Sequence, residues 1–281
     1  MDPFDDLLLG VRAEGALFDL SVTTVPDAPV RFADGAALTL CVPLRGDGTV
    51  SGGADERALK VGETAIVRGP DAFTFSGDAV LLVGTYHIRR EVPRRLLRVL
   101  PPLLVVPDTD GCDAMREYLE AQLAEAQRPG RQIVLDRLLD WLLVCTLRDW
   151  FDRPEAAPPG WYRALADEVA GPALRAIHAS PDRPWTLASL AREAGVSRTT
   201  MAKRFADVVG DSPLAYLTEW RMTLAADLLA DAPATTVATV ARRVGYADAF
   251  GFSAAFKRVR GVSPSEHRRA DAAVRAIRTA R

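Results

Sequence analysis

Histidine and cysteine are scarce in this chain. Its 281 residues hold three of each: His87, His178 and His267, and Cys41, Cys112 and Cys145. There is no CxxC pair and no Cys/His ligand spacing, so a structural zinc site of the usual kind is excluded. An odd, sparse cysteine set gives no disulfide framework either. Cys41 and Cys145 read as small core residues rather than redox switches, in a reduced cytoplasmic chain. No apolar run reaches the roughly 18 residues of a membrane span. The opening MDPFDDLLLGVR is acidic, where a secretory signal starts basic. The G-x-S-x-G, HExxH, phosphate-loop and dinucleotide fingerprints are all missing. The paired acids Asp5-Asp6 and Asp55-Glu56 sit in surface-like segments. Nothing points to catalysis, and no cofactor is called for.

What the chain does have is one short pattern written twice. TLASLAREAGVSRTTMAKRF runs from Thr186 to Phe205, and VATVARRVGYADAFGFSAAF from Val237 to Phe256. Leu190, Ala191, Arg192 and Gly195 meet Val240, Ala241, Arg242 and Gly245 at an offset of 50. Ser197, Met201 and Phe205 then meet Asp248, Phe252 and Phe256 at 51, so the second copy carries one extra residue in its turn. Each copy has the parts of a helix-turn-helix. Small residues allow close helix approach, a glycine allows a sharp turn, and Ser197 or Asp248 caps the second helix. Met201 with Phe205, and Phe252 with Phe256, lie four apart on an inward face. Thr199, Lys203 and Arg204 are left outward. A plain helical hairpin with a solvated face is the alternative, and two matched copies argue against it.

Charge is divided along the chain. Residues 161–281 carry 18 Lys+Arg against 12 Asp+Glu, while residues 1–160 carry 17 against 25. A basic C-terminal part fits contact with phosphate, and an acidic N-terminal part avoids it.

Residues from Pro184 to Arg269 resemble the DNA-binding domain of AraC/XylS-type transcription regulators. The most specific stretch is GYADAFGFSAAFKRVRGVSPSEHRR, Gly245 to Arg269. The resemblance implies two recognition helices in separate major-groove segments, held apart by one long helix. That linker is legible on its own: Ser212-Pro213 is a cap followed by proline, and Leu217, Trp220, Leu224 and Leu228 recur at helical spacing before Pro233. By the resemblance, Thr199, Ala202 and Lys203 take base-reading positions in the first head. Ala249, Phe250, Ser253 and Ala254 take them in the second, where Asp248 also joins the interface. Arg198, Thr200, Arg204, Lys257 and Arg258 suit phosphate. Alanine and phenylalanine depart from the family's frequent polar readers, and allow contact with thymine methyls in place of hydrogen bonds.

The N-terminal part reads differently. Residues 1–12 suggest an amphipathic helix through Phe4, Leu7, Leu8 and Val11. From 16 to about 89 short strands alternate with turn residues. Leu38, Leu40, Val42 and Leu44 alternate with Thr39, Cys41, Pro43 and Arg45. RGDGTVSGGADER (45–57) reads as turn, and TAIVR, AFTF and AVLLVGTYHI as strands. Pro101-Pro102 closes the barrel region. Helices are expected over 113–126 and 131–151, a Pro-rich linker at 152–160, and a helix over 161–180. Along 131–151, Leu135, Leu138, Leu142 and Cys145 form one stripe, and a second stripe starts with Val134 and Trp141. The run VGETAIVRGPDAFTFSG, with Gly62-Glu63 and Gly69-Pro70, resembles the corner of a cupin barrel of the kind found ahead of some AraC-type domains. Phe73 stands where a metal-binding cupin would have a histidine, and three scattered histidines do not supply an imidazole set.

The expectation is an α+β chain of two domains. A cupin-like β-barrel with a helical dimerisation segment occupies 1–153 (barrel about 16–100, helices about 113–151). After a linker at 154–160, an all-α double helix-turn-helix domain occupies 161–281, with motifs about 187–208 and 237–259. The resemblance implies double-stranded DNA, a second copy of the chain, a small organic effector and RNA polymerase as partners, and no membrane. Tyr86 or His87, adjacent and on opposite faces of one strand, is the expected polar contributor to an effector cavity. A cupin-derived enzyme on a DNA anchor and a ligand-independent DNA-binding protein are the alternative readings.

Overall fold

The structure, a computed structural model, describes residues 2–8, 11, 17–18, 22–23, 29–88, 90–108, 115, 117–119, 121, 129–232 and 234–279. The chain forms two compact units. One comprises Met1–Leu7, Arg90–Val92 and Pro159–Arg281, the other Leu8–Arg89 and Pro93–Pro158. The first element, α1 (Pro3–Leu8), is shorter than the 1–12 helix read from the sequence; Asp2 Oδ1 caps it by accepting from the N–H groups of Phe4 and Asp5 at 2.8 and 2.9 Å.

The second unit is built on antiparallel strands β1 (Leu17–Phe18), β2 (Val22–Thr23), β3 (Val30–Phe32), β4 (Leu38–Gly52), β5 (Asp55–Lys60), β6 (Glu63–Arg68), β7 (Phe73–Ser76) and β8 (Asp78–Tyr86). After α2 (Glu91–Leu97), β9 (Leu103–Pro107) pairs with β6. The sheet therefore continues beyond Pro101-Pro102, where the sequence suggested that it ends. β4 organises the unit. Its first half pairs with β6 and β8, its second half with β5 and β7. The bend lies at the register shift between Pro43 and Arg45, followed by Gly46 at φ 73°.

That bend corrects the reading of residues 45–57 as turn. The glycines serve a bent, crowded strand, because a Cβ on Gly48 would lie 2.4 Å from the Phe75 ring. Only residues 53 and 54 separate β4 from β5. The architecture is cupin-like, with strand order β1-β8-β4-β6-β9 and β3-β7 on the second layer, and the described pairings do not close the ring.

The sheet interior is filled by Cys41, Val50, Leu59, Ala65, Phe73, Phe75, Leu81 and Val83. Phe73, in the position of an expected histidine, stacks on Phe32 with centroids 4.8 Å apart. The other face of β4 and β8, which carries Leu38 and Leu40, is buried as well, so these leucines are enclosed like Thr39 and Cys41 on the interior face. The cover comes from α3 (Arg131–Phe151). Gly84, opposite Leu40, admits it, because a Cβ there would lie 3.0 Å from Leu139 Cδ1. The buried side of α3 is Leu135, Leu139, Leu142, Leu143, Leu147 and Phe151. Leu138 and Cys145 from the expected stripe are only half-buried. The helix expected over 113–126 lies largely outside the described residues. After α3 the Pro-rich stretch forms a single 3-10 turn, Pro154–Ala156.

The first unit is helical: α4 (Gly160–Ala164), α5 (Ala170–Ala179), α6 (Leu187–Glu193), α7 (Arg198–Val209), α8 (Pro213–Asp231), α9 (Val237–Arg243), α10 (Ala249–Arg260) and α11 (Pro264–Thr279). The single helix expected over 161–180 is divided in two by Asp167, whose Oδ1 accepts from the Val169 and Ala170 N–H groups at 3.0 and 2.8 Å. A carboxylate that satisfies the free amides of a new helix ends the old one. α1 packs in this unit through buried Leu7, Phe4 edge-on to Tyr162, and Asp6 at 2.5 Å from His178 Nδ1.

Candidate nucleic-acid interface

The two copies of the sequence pattern fold as two helical pairs, α6–α7 and α9–α10. Four residues separate the helices of the first pair and five those of the second, which locates the extra residue in the turn. Gly195 and Gly245 take φ of 66° and 82° in those turns, a region that suits glycine. Ser197 caps α7 by accepting from Thr200 N–H at 3.1 Å, and Asp248 caps α10 by accepting from Gly251 N–H at 2.7 Å. Met201, Phe205, Phe252 and Phe256 are fully buried. Each inward face belongs to a separate core.

α8 joins those cores. Its cap is Ser212, accepting from Ala215 N–H at 3.3 Å, with Pro213 in the first turn. Tyr216, Leu217 and Trp220 enter the core of the first pair; Met222, Ala225, Ala226 and Leu229 enter that of the second. Leu224 packs against both. At 1.5 Å per residue α8 is about 28 Å long, against about 34 Å for one turn of duplex.

On α7, Arg198, Thr199 and Lys203 are exposed and carry no side-chain hydrogen bond or ion pair among the described residues. Ala202 is half-buried. The Thr200 hydroxyl is 2.8 Å from Ser197 Oγ, inside the cap. Arg204 is tied down: its Nε donates to Asp167 Oδ2 at 2.7 Å and a terminal nitrogen lies 2.6 Å from the same oxygen.

On α10, Phe250 projects with 87% of its surface exposed, Ala254 is exposed one turn on, and Lys257 and Arg258 follow. Ala249 is half-buried. Asp248 is spent on the cap, and Ser253 Oγ donates back to the Ala249 carbonyl at 2.7 Å. The first part of α10 thus exposes hydrocarbon, where α7 exposes polar side chains.

Other polar residues emerged only in the structure. Thr186 forms a capping box with Ser189, and Thr236 caps α9 by accepting from Thr239 N–H at 3.1 Å. Their signal was a threonine just before each first helix. Arg221 donates to the Pro181 and Arg183 carbonyls at 2.7 and 2.8 Å, holding the loop that faces Gly245. Arg243 is exposed in the last turn of α9, and has no counterpart cation in the first copy.

Of the two residues expected at an effector cavity, Tyr86 is engaged inside the protein. Tyr86 is fully buried; its hydroxyl donates to the Leu139 carbonyl at 2.8 Å, and burial holds it well above its ordinary pKa. His87 is half-buried. Neither lines the cavity of about 630 Å³ in the sheet-rich unit, whose walls include Val99, Leu100, Leu104, Val105 and Trp150, with Arg57 and Glu155. The Trp150 indole N–H is buried without a hydrogen-bond partner among the described residues. Cys41 is fully buried, which pushes its thiol up to about 12, and burial raises that of half-buried Cys145. Cys112 lies outside the described residues. Among the described residues no three His, Cys, Asp or Glu side chains group to hold a metal ion, and no helix is long and apolar enough to cross a membrane.

The sequence matches two family profiles, one described as Cupin over residues 2–152 and one as Helix-turn-helix domain over residues 190–270. An AraC-like transcription regulator of Streptomyces lividans is 36% identical over 86% of this chain and 81% of its own. The HTH-type transcriptional regulator AlkR of Acinetobacter baylyi is 34% identical over 69% of this chain and 65% of its own. Among solved structures, the DNA-binding domain of AdpA in complex with a target DNA is 30% identical, covering 40% of this chain and 98% of that one with a TM-score of 0.37. With the cupin profile over its first half, the double helix-turn-helix in its last third and this identity along most of its length, the chain belongs to the AraC-like family of DNA-binding transcription regulators.

Proposed function

We propose that this regulator is a dimer, acts in the cytoplasm, and is controlled by a small organic effector taken up in its cupin domain. The observation that carries the DNA half of this reading is the pair of capped, matched helices α7 and α10 on a shared α8, each with its apolar face buried and the opposite face exposed. Lys203 and Thr199 read base edges in one major-groove segment, and α10 reads the next. Arg198, Lys257 and Arg258 hold phosphates. Arg204 keeps donors for a phosphate while Asp167 orients it.

Dimerisation through α3 is supported by its outward side, where Ile133 and Trp141 are 66% and 44% exposed on a helix otherwise used to cover a sheet. Effector uptake is supported by the open cleft of about 630 Å³, whose walls combine apolar side chains such as Val99, Leu100 and Leu104 with polar Arg57 and Glu155. Such a site suits a small organic molecule with both apolar and polar parts. RNA polymerase enters as a partner because the relatives are transcription regulators.

The test begins by capturing genomic fragments on the full-length protein and measuring binding to the enriched duplex and to random DNA. Lys203→Ala costs about 1–3 kcal/mol on the enriched duplex and relaxes one base position, as for a lost base contact. Arg258→Ala weakens both duplexes alike and makes the salt dependence shallower. Equal losses for the two variants on both duplexes would show that Lys203 does not read bases.

A further inference from the structure

The two heads differ in the chemistry they present. We infer that α10 reads its DNA segment through thymine 5-methyl groups, with Phe250 as the specificity-determining side chain. This deepens the DNA-reading proposal above and rests on it.

Every polar side chain in the first part of α10 is already committed. The Asp248 carboxylate accepts from Gly251 N–H, and the Ser253 hydroxyl donates to the Ala249 carbonyl. Ala249, Gly251 and Ala254 have no side-chain donor or acceptor to offer. Phe250 extends outward, 87% exposed, while Phe252 two residues on is fully buried. A large aromatic ring held in water on a 12-residue helix, beside a packed core that excludes it, is an unfavourable exposure that a partner would relieve.

The surroundings specify that partner. Lys257 and Arg258, about two turns along the same helix, are exposed cations that suit phosphate and would hold this helix against a duplex. In the major groove the apolar feature of a base pair is the thymine methyl. The first head is different. Lys203 and Thr199 are exposed there with no side-chain partner among the described residues, and a lysine finds the O6 and N7 acceptors of guanine. One reading head therefore responds to methyl groups and the other to acceptors, and chemically edited DNA separates them.

The experiment uses full-length protein and the duplexes it enriches from a random pool. In one version every thymine is replaced by deoxyuridine, which removes only the methyl; in another every guanine is replaced by 7-deazaguanine, which removes N7. Wild type is expected to bind the uracil duplex about four-fold more weakly for each methyl buried against the ring. Phe250→Ser, an exposed position whose fold is checked by thermal melting, abolishes that sensitivity and keeps the response to 7-deazaguanine. Lys203→Ala does the reverse.

Equal binding of thymine and uracil duplexes by wild type overturns the inference, as does uracil sensitivity that persists in Phe250→Ser; DNA reading by the protein survives either result. If no duplex is enriched at all, the DNA-reading proposal falls, and the methyl inference with it.

Discussion

Gly195 and Gly245 occupy the same place in the repeat, yet replacing each by alanine has unequal consequences. Both have positive φ, 66° and 82°, where a Cβ costs about 1–2 kcal/mol. At Gly195 that is the whole penalty, because nothing lies within 4 Å of the added carbon. At Gly245 the carbon would sit 2.5 Å from the Asp182 carbonyl oxygen and 2.6 Å from a terminal nitrogen of Arg221. The arginine cannot retreat without releasing the Pro181 and Arg183 carbonyls. Hydrogen bonds from a charged donor are worth about 1.5–3 kcal/mol each, so losing one brings Gly245→Ala to about 2.5–5 kcal/mol.

Hydrogen exchange of the full-length protein, read on peptides covering 196–205 and 244–256, gives the local opening free energy of each head. Gly195→Ala should lower protection of the first head by about 1–2 kcal/mol, and Gly245→Ala should strip most of it from the second. The same loss in both variants would mean that the contacts around Gly245 yield freely, and the steric argument would fail.

Asp167 supplies a pH test. Burial pushes its carboxyl up, but the Ala170 N–H, the Arg204 side chain and the Val169 N–H together outweigh it and leave the pKa below the ordinary 3.8. A depressed carboxyl contributes stability above its unfolded value, and that contribution is lost as pH falls through the folded value. Unfolding of the helical unit should therefore become easier below about pH 4, and Asp167→Asn should flatten that part of the profile; an unchanged slope in acid-melt measurements would refute the pairing. Trp141→Glu places a charge on an already exposed position of α3, so light scattering should show a folded monomer, and a retained dimer would move the interface elsewhere. Tyr86→Phe removes the bond to the Leu139 carbonyl and should cost the sheet-rich unit about 1 kcal/mol in urea titration, with DNA affinity unchanged; altered DNA affinity would contradict a purely internal role.

Local chemistry made much of this protein legible without coordinates. Caps at Ser197, Ser212 and Asp248, the paired inward residues at spacing four, and a one-residue insertion between two copies are all short-range features. Each acts within a turn or two of helix, so the residues that cause it are neighbours in the sequence. The cupin resemblance carried the N-terminal part in the same way, through Gly69-Pro70 and the strands on either side.

Only the tertiary structure decided what depends on distant neighbours. The glycines of 45–57 looked like turn because their composition matches one; that Gly48 faces the Phe75 ring and Gly46 bends β4 is fixed by strands 30 residues further on. Cys41 alternates with Leu38 and Leu40 as if facing water, yet it fills the sheet interior, and it is the opposite face, with Leu40 and Gly84, that α3 covers. Tyr86 was expected at a ligand, and a helix some 50 residues on in the chain takes its hydroxyl instead. Arg204 looks available from its own helix, and is engaged by Asp167 from 37 residues back. A side chain's pattern tells which face it occupies, but what waits on that face belongs to the rest of the chain, and so does whether its polar atoms remain free to act.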